Sequence, residues 1–230
     1  MPAPPDPAAE PRQRWRLVVA REAGLAGSQR EVTAEWTAAI EAAGLPLVGG
    51  DSGRGRSRIA FGAPLPVGMA AERELIDIVL TESWPVWRLR EALAPHIPTG
   101  WTLLEVQDVW LGGPPLAGRV GAADYRIELE GGADPVALQA AAADLVAAAR
   151  IPRHRLKGGT IVDYDLRPLL VSITVEPGPP LMVRTRTRFD PELGTGRPEE
   201  VLGALGDRLG SPLDARSIVR ERLFLDEDLR

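Results

Sequence analysis

The sequence predicts an α+β protein with antiparallel sheets. Short segments with apolar residues at alternate positions are typical of strands, and between them lie segments whose apolar residues recur every three or four positions, as in helices. The order strand, helix, strand, strand, helix, strand occurs twice along the 230 residues. This repetition predicts two tandem ferredoxin-like (βαββαβ) units.

The first predicted unit covers residues 13–111. Trp15, Leu17 and Val19 alternate along its first strand. One face of the following helix, which ends at Gly44, carries Val32, Trp36, Ala39, Ile40 and Ala43. The remaining elements are strands at 58–63 and 74–80, a helix at Val86–Leu93 after Pro85, and a closing strand at 101–110.

The second predicted unit covers residues 123–226, after a glycine- and proline-rich linker at 112–122. Its first strand, 123–130, directs Tyr125, Ile127 and Leu129 inward, and Asp134-Pro135 begins an alanine-rich helix that ends at Arg150. A basic loop, strands at 169–176 and 181–189, a helix from Pro198 and a strand at 217–225 complete the unit. Residues 1–12 are expected to be a disordered tail and 227–230 an acidic end.

The composition excludes several functional classes. The absence of cysteine excludes disulfides, thiolate catalysis and any cluster held by this chain's own thiolates. With His96 and His154 as the only histidines, no metal site and no cofactor are expected. No apolar run approaches the length of a membrane span, and the start lacks a hydrophobic signal core. We therefore expect a cytoplasmic protein that binds no membrane.

Basic residues are concentrated in a few segments, although the formal net charge is −5. The loop 49–58 places Arg54, Arg56 and Arg58 among glycines, which suits a clamp on RNA or an anionic ligand. It matches neither a phosphate-binding loop nor a dinucleotide fingerprint, and no helix follows it. The alternative interpretation is a mobile surface loop.

A second candidate is the predicted strand that contains Arg184, Arg186 and Arg188. Alternate residues of a strand share one face, so these side chains form a row with a pitch of roughly 7 Å, close to the spacing of nucleic-acid phosphates. Such a face binds RNA in RRM domains, but the stacking aromatic residues of those domains are missing here. The row is equally compatible with cross-strand ion pairs to Glu128, Glu130 and Glu176, or with burial between packed sheets.

Further basic and acidic residues lie around the second unit's loops. The basic loop contributes Arg153, Arg155 and Lys157, and Arg197 precedes the second helix, so all four are candidate RNA contacts. Asp165 and Arg167 lie just before Pro168, where the chain is predicted to enter the long strand 169–176, and such a pair could act as acid–base or nucleophilic groups. A structural salt bridge at a turn is the alternative. No catalytic residue is assigned beyond these two candidates.

Several segments, in order, resemble the DUF2344 family of bacterial proteins associated with radical SAM enzymes. The segments are AGLPL (43–47), RIAFGAPLPVG (58–68), ELIDI (74–78), DLRP (165–168) and GRPEEVL (196–202). The resemblance implies a module fused to, or encoded beside, a cobalamin-type radical SAM enzyme, with a role around RNA or the ribosome. Relatives carry Ser-His-Leu-Asp-Leu before the first helix, where this chain has Ser28-Gln29-Arg30-Glu31-Val32.

The missing histidine favours binding over catalysis. We therefore expect a non-catalytic accessory module that presents RNA or a ribonucleoprotein, but not DNA, to a separate radical SAM enzyme. A protein–protein scaffold that docks this enzyme, and an RNA-modifying enzyme using Asp165 and Arg167, are the two alternatives.

Overall fold

The chain folds into two compact units, Met1–Arg119 (unit 1) and Val120–Arg230 (unit 2). The computed structural model describes residues 12–49, 59–157 and 159–229, without the side chains of Leu156 and Lys157. The described residues form a mixed α+β fold with four α-helices and antiparallel strand pairs. None of these helices has the length and apolar character needed to cross a bilayer.

The described residues of unit 1 form two α-helices and four strands. In chain order they are β1 (Gln13–Arg21), α1 (Gln29–Ala42), β2 (Ile59–Phe61), β3 (Ala70–Leu80), α2 (Val86–Leu93) and β4 (Trp101–Val109). Antiparallel pairing joins β4 to β1, β1 to β3 and β3 to β2. The strand order within the unit is therefore β4-β1-β3-β2.

The apolar face of α1 anchors the core of unit 1. Ser28 caps the helix, because its hydroxyl accepts a hydrogen bond from the Glu31 backbone N–H while the Glu31 carboxylate accepts one from the Ser28 N–H. Trp36 is fully buried and meets Trp101 edge to face, with ring centroids 5.5 Å apart. The predicted inward positions Val32, Trp36, Ala39 and Ile40 are all buried.

A buried ion cluster holds the opposite face of β1. Arg14 and Arg16 share the carboxylate of Asp77 on β3, with the shortest N–O distances 2.5 and 2.8 Å, and all three side chains are at most 9% exposed. Arg14 Nη1 also donates to the carbonyl oxygens of Gly113 and Pro114, at 3.1 and 2.9 Å. These bonds fix the segment that follows β4 and carries the exposed Trp110.

In the described part of unit 2 there are two α-helices, four paired strands with a short extra strand, and a separate hairpin. In chain order they are β5 (Val120–Glu130), α3 (Pro135–Ala147), β6 (Pro152–Lys157), β7 (Thr160–Asp165), β8 (Leu170–Glu176), β9 (Met182–Asp190), β10 (Gly194–Thr195), α4 (Pro198–Leu209) and β11 (Asp214–Leu225). The sheet order is β11-β5-β9-β8, all antiparallel, with β10 paired to the end of β9. Strands β6 and β7 pair only with each other among the described residues.

The core of unit 2 lies between one face of its sheet and the helices. Ile127 and Leu129 of β5 and Val183 of β9 pack with Leu138 of α3 and Val201 of α4. Pro198 occupies the first turn of α4, and Gly210 ends it in the left-handed conformation (φ +69°) that glycine adopts without strain. Tyr125, Ile127 and Leu129 point inward as predicted.

Two predictions about the middle of unit 2 are wrong. The segment expected as a basic loop is the β6–β7 hairpin, since Ile161, Val162 and Tyr164 suit a strand and Gly159 takes the positive φ (+84°) that a tight turn requires. Asp165 does not enter the long strand: it ends β7, and a short 3₁₀ turn, Arg167–Leu169, precedes β8. Its carboxylate accepts the Arg167 backbone N–H, which stabilises this turn.

Smaller differences concern the ends of elements. β5 begins at Val120, within the predicted linker 112–122, and α3 ends at Ala147, before the predicted Arg150. The acidic end forms a 3₁₀ turn, Asp226–Leu229. The glycine–arginine loop, with Arg54, Arg56 and Arg58, lies outside the described residues.

Candidate nucleic-acid interface

The three arginines of β9 share the sheet face opposite the core of unit 2. Thr185 and Thr187, which alternate with them, are buried, and their hydroxyls donate to the backbone carbonyls of Ser172 and Gly196. Arg184 and Arg186 are half-buried and Arg188 is exposed. The predicted row on one strand face is therefore present.

Arg186 is held in place by two neighbouring strands. Its guanidinium makes two hydrogen bonds to the Asp124 carboxylate on β5, at 2.7 and 2.9 Å, and lies 4.0 Å from the ring centroid of Phe224 on β11. The hydrogen bond to Asp124 raises the pKa of Arg186 above its ordinary value, although burial acts in the opposite direction. Arg186 therefore stays charged, and most of its charge is compensated.

Arg184 belongs to a second network on the same face. It lies 2.5 Å from Glu221 on β11 and 2.7 Å from Glu176 on β8, and Arg126 of β5 also lies 2.5 Å from Glu221. Of the acidic partners considered from the sequence, Glu176 does pair with the row, whereas Glu128 pairs with Arg216 at 3.1 Å. The alternative of cross-strand ion pairs therefore holds for Arg184 and Arg186.

Arg188 and Arg222 are exposed guanidinium groups of this face, and neither has a salt bridge to a described residue. Arg188 makes no salt bridge with any described residue, although its charge helps to lower the pKa of Asp190, after the hydrogen bonds from the Leu193 and Glu192 backbone. Arg222 of β11 stacks on Phe224, with 4.8 Å between its guanidinium carbon and the ring centroid. Phe224 thus contacts both Arg186 and Arg222.

The β6–β7 hairpin brings further predicted residues to the start of α4. Arg153 pairs with Glu200 at 3.0 Å and also with Asp207, and this joins the hairpin to α4. Arg155 lies over the ring of Tyr164, 4.8 Å from its centroid, and Arg197 is exposed at the N-cap of α4. We call Arg155, Tyr164 and Arg197 the hairpin cluster.

The pKa of the Tyr164 phenol depends on the charged residues of this region. Burial raises the pKa of its phenol to about 12, and Glu200 adds to this effect, while Arg155, Arg153 and Arg197 act in the opposite direction. Arg153 and Arg155 lie on β6 and Arg197 at the N-cap of α4, so the charges that act on this phenol come from two separate elements. At neutral pH the phenol is protonated and can donate a hydrogen bond.

Asp165 and Arg167 have structural contacts. Asp165 Oδ1 accepts the backbone N–H groups of Ile151 and Arg167, at 2.8 and 3.0 Å. Partial burial raises the pKa of Asp165, but these hydrogen bonds and the nearby Arg150 outweigh it, so the pKa lies below its ordinary value. Arg167 donates to the carbonyl oxygens of Ala148 and Leu170. The two side chains thus fix the turn before β8.

Sequence reasoning missed several residues of this surface. Those on the sheet face are Asp124, Arg126, Arg216, Glu221, Arg222 and Phe224, and Tyr164 lies on the hairpin. The alternation in β5 was a usable signal, but pairing with β11 depends on a register that contains three irregularities. Lys157 is on β6, and its side chain is outside the described set. Within the described ranges no group of three or more His, Asp or Glu side chains is arranged to hold a metal ion.

A family model described as "Uncharacterized protein conserved in bacteria (DUF2344)" matches residues 28–199, which is most of the chain. The chain belongs to the DUF2344 family. The match spans α1 to the start of α4, so the DUF2344 region includes the hairpin and the arginine row of β9. No curated protein is significantly similar to this DUF2344 chain.

Some solved structures resemble the DUF2344 chain at low identity. A Cbf5–Nop10–Gar1 complex aligns at 11% identity, over 91% of this chain and 50% of the other, with a TM-score of 0.47. An H/ACA RNP bound to a substrate RNA containing 2′-deoxyuridine aligns at 13% identity, over 91% and 49%, with a TM-score of 0.47. An unknown protein from Galdieria sulphuraria aligns at 17% identity, over 88% and 96%, with a TM-score of 0.25. The chain spans about half the length of the first two structures.

Proposed function

We propose that this chain is a non-catalytic accessory module that binds RNA or a ribonucleoprotein substrate for a separate radical SAM enzyme. The observation that supports RNA binding is a set of exposed or half-buried arginines in unit 2. They lie on the sheet face opposite its core and in the hairpin cluster. The radical SAM partner has a different support, namely the family resemblance of the sequence. We also assign both units to the ferredoxin-like fold, which is supported by their element order and by the strand orders β4-β1-β3-β2 and β11-β5-β9-β8.

The arginines differ in what they offer a phosphate. Arg184 and Arg186 already bind carboxylates, so an RNA phosphate would have to compete with Glu221 and Asp124. Arg188 and Arg197 are exposed and have no carboxylate partner in the described part of the chain. We therefore assign direct phosphate contacts to Arg188 and Arg197, and a positioning role to the paired arginines.

Arg155 adds a donor to the hairpin cluster. Its guanidinium carbon lies 4.8 Å from the centroid of the Tyr164 ring, and its Nε is buried without a hydrogen bond to a described residue. A guanidinium held against a ring loses little further entropy when it binds a phosphate. Arg155 follows Arg153 on β6, and Arg153 pairs with Glu200 in the first turn of α4, which Arg197 precedes, so we assign Arg155 and Arg197 to one RNA strand.

The salt dependence of RNA binding tests this proposal. For a single-stranded oligonucleotide, the plot of log affinity against log salt should be linear, with a slope of about −0.7 for each phosphate contact. Arg188→Ala and Arg197→Ala should each weaken binding and make the slope shallower by about 0.7. Because neither residue makes a salt bridge in the described structure, thermal stability should hardly change.

A matched control comes from unit 1. Arg30 is exposed on α1, and Arg30→Ala removes the same charge from a unit that does not carry the proposed surface, so it should leave the affinity unchanged. Failure of the wild-type protein to bind RNA at low salt would reject the RNA function. Equal losses in Arg30→Ala and Arg188→Ala would show that net charge, rather than this surface, controls binding.

A second candidate function is a scaffold that docks the partner enzyme directly. The observation that favours it is Trp110, whose side chain is 79% exposed on the segment that Arg14 fixes through Gly113 and Pro114. Exposed tryptophans on rigid segments are frequent binding hot spots. Co-purification of a radical SAM enzyme that survives RNase treatment but is lost in Trp110→Ala would favour docking.

No contact of Asp165 or Arg167 favours the enzymatic alternative, and an Asp165→Asn protein with full cellular function would exclude it.

A further inference from the structure

The start of α2 in unit 1 presents an exposed tryptophan on a well-anchored helix. Leu89 and Leu93 are fully buried and fix the helix to the core. Trp87, on a different face, is 63% exposed. Burying this indole against a partner would recover a large apolar area, and the two anchoring leucines keep the helix from moving when the partner binds.

The segment 84–90 also contains a second tryptophan, Trp84, and two arginines, Arg88 and Arg90. The Arg88 guanidinium carbon lies 4.5 Å from the centroid of the Trp84 ring, which is a cation–π geometry. The Trp84 backbone N–H donates to the Gln13 side chain on β1 at 2.8 Å, so this stacked pair is tied to the sheet. Arg90 is exposed, one helical turn after Trp87.

We propose that the segment 84–90 is a base-stacking site for single-stranded RNA, in which a nucleobase stacks on Trp87 and Arg88 and Arg90 contact the flanking phosphates. This inference rests on the RNA-binding function proposed above. Proteins that bind single strands combine a basic path for the backbone with aromatic rings for the bases. The arginine row of β9 offers basic groups for the backbone without an exposed aromatic ring, whereas the start of α2 offers both basic groups and a ring.

The charges of α2 favour RNA over a protein surface as the occupant. The helix itself carries Arg88 and Arg90 against the single acidic residue Glu91, which leaves it a net positive charge that favours phosphate. Arg90 also donates to the Leu104 carbonyl oxygen at 3.5 Å, and Glu82 is exposed just before the segment. The other exposed apolar side chain of the helix is Val86, at 42%, which leaves a small apolar patch next to Trp87. A flat ring with guanidinium groups in the same segment suits a nucleobase and its phosphates better than it suits a broad hydrophobic partner.

The experiment compares Trp87 with another exposed tryptophan of the same unit. Binding of a short oligouridylate to the full-length chain is measured at several salt concentrations. Trp87→Ala should lower the affinity by about 5- to 150-fold. The slope of log affinity against log salt should stay the same, because a ring and not a charge has been removed. Trp87→Phe should recover most of the affinity.

Trp110→Ala is the matched control. Trp110 is more exposed than Trp87 but follows the acidic Asp108, so its loss should not change the affinity for oligouridylate. Arg88→Ala should weaken binding and also make the salt slope shallower. Quenching of tryptophan emission by oligouridylate should be strong in the wild type and reduced in Trp87→Phe.

The outcomes separate this inference from the proposed function. If the wild-type chain does not bind oligouridylate at low salt, the RNA function itself fails. If the wild type binds and Trp87→Ala binds equally well, the stacking site is rejected while the RNA function stands. Equal losses in Trp87→Ala and Trp110→Ala would also reject the site, as would a Trp87→Ala protein that binds RNA normally but no longer retains a protein partner.

Discussion

At the scale of single residues, unit 1 depends on one carboxylate. Asp77 is buried and compensates two guanidinium groups, Arg14 and Arg16, which are themselves nearly inaccessible. Removing one partner of a buried ion pair costs far more than the pair contributes, because the remaining charge is left without compensation. Asp77 is therefore a sensitive position for the stability of unit 1.

Asp77→Ala should lower the free energy of unfolding by about 3–5 kcal/mol. Asp77→Asn keeps an oxygen acceptor and should cost less. The measurement is urea denaturation followed by tryptophan fluorescence, since the core of unit 1 contains Trp15, Trp36 and Trp101. Asp108 is exposed on β4, so Asp108→Ala is the control and should change the free energy of unfolding by less than about 0.5 kcal/mol. An Asp77→Ala protein as stable as this control would contradict the expectation.

Asp165 gives a prediction about pH. Asp165→Ala removes the acceptor of two backbone N–H groups and should cost about 1–3 kcal/mol, whereas Asp165→Asn retains an Oδ1 acceptor and should cost less. Because the pKa of Asp165 is lowered in the folded chain, its carboxylate stabilises the fold above the ordinary pKa of 3.8, and this contribution is lost as the pH falls through the folded value.

The stability difference between wild type and Asp165→Asn should thus be constant above about pH 5 and shrink in more acidic solution. Denaturant titrations at a series of pH values measure it. The Arg150 side chain near Asp165 is 77% exposed, so solvent screens its attraction and the difference should be small. A stability difference between wild type and Asp165→Asn that grows as the pH falls would contradict this expectation.

At the scale of elements, sequence patterns predicted the helices well where a helix buries one continuous face. Four of the five predicted inward residues of the first helix are buried and Ala43 is half-buried, and the bounds of α2 follow from spacing and Pro85. The β6–β7 hairpin was missed because its arginines resemble a solvated loop. It is joined to α4 by the ion pair of Arg153 with Glu200, and its Tyr164 packs against the core of unit 2. Ion pairs to Asp124 and Glu221 join strands far apart in the sequence, so only the sheet register reveals them.

The glycines of α4 give a prediction at this scale. Replacing a helical glycine with alanine normally stabilises by up to about 1 kcal/mol. At Gly206, however, the new Cβ would lie 2.9 Å from the Ser211 carbonyl oxygen, so Gly206→Ala should destabilise by about 1–3 kcal/mol. At Gly203 the Cβ would meet the Arg153 guanidinium, which can move, so Gly203→Ala should stay within about 1 kcal/mol of wild type. Thermal denaturation compares them, and a stabilised Gly206→Ala would contradict the packing argument.

At the scale of the whole molecule, the charge is unevenly distributed. The formal net charge is −5, yet exposed arginines gather on unit 2 and at the start of α2. An acidic protein repels RNA over long distances, so binding must come from local contacts at short range. This explains why composition alone could not identify a nucleic-acid surface, while the arginine positions in the sequence could suggest one.

Hydrogen exchange should map this uneven surface. Added oligouridylate should slow amide exchange in the hairpin strands β6 and β7 and at the start of α4, and by the stacking inference in α2. Exchange in α3 should not change, because its exposed side carries Val136, Gln139 and Ala143 and no basic residue. Slowing that is uniform along the chain would indicate global stabilisation instead of a localised interface.

The buried cluster of Arg14 also constrains how unit 1 is made. Its partners are Asp77 on β3 and the carbonyl groups of Gly113 and Pro114, and β1 pairs with β3 and β4. During synthesis the first strand therefore emerges from the ribosome long before any of its neighbours. Until Asp77 has left the exit tunnel, both arginines of β1 lack their carboxylate partner, and Arg14 lacks its two carbonyl partners until Gly113 and Pro114 have followed. Unit 1 can complete its folding only after residue 114 has emerged, when more than half of the 230 residues have been made.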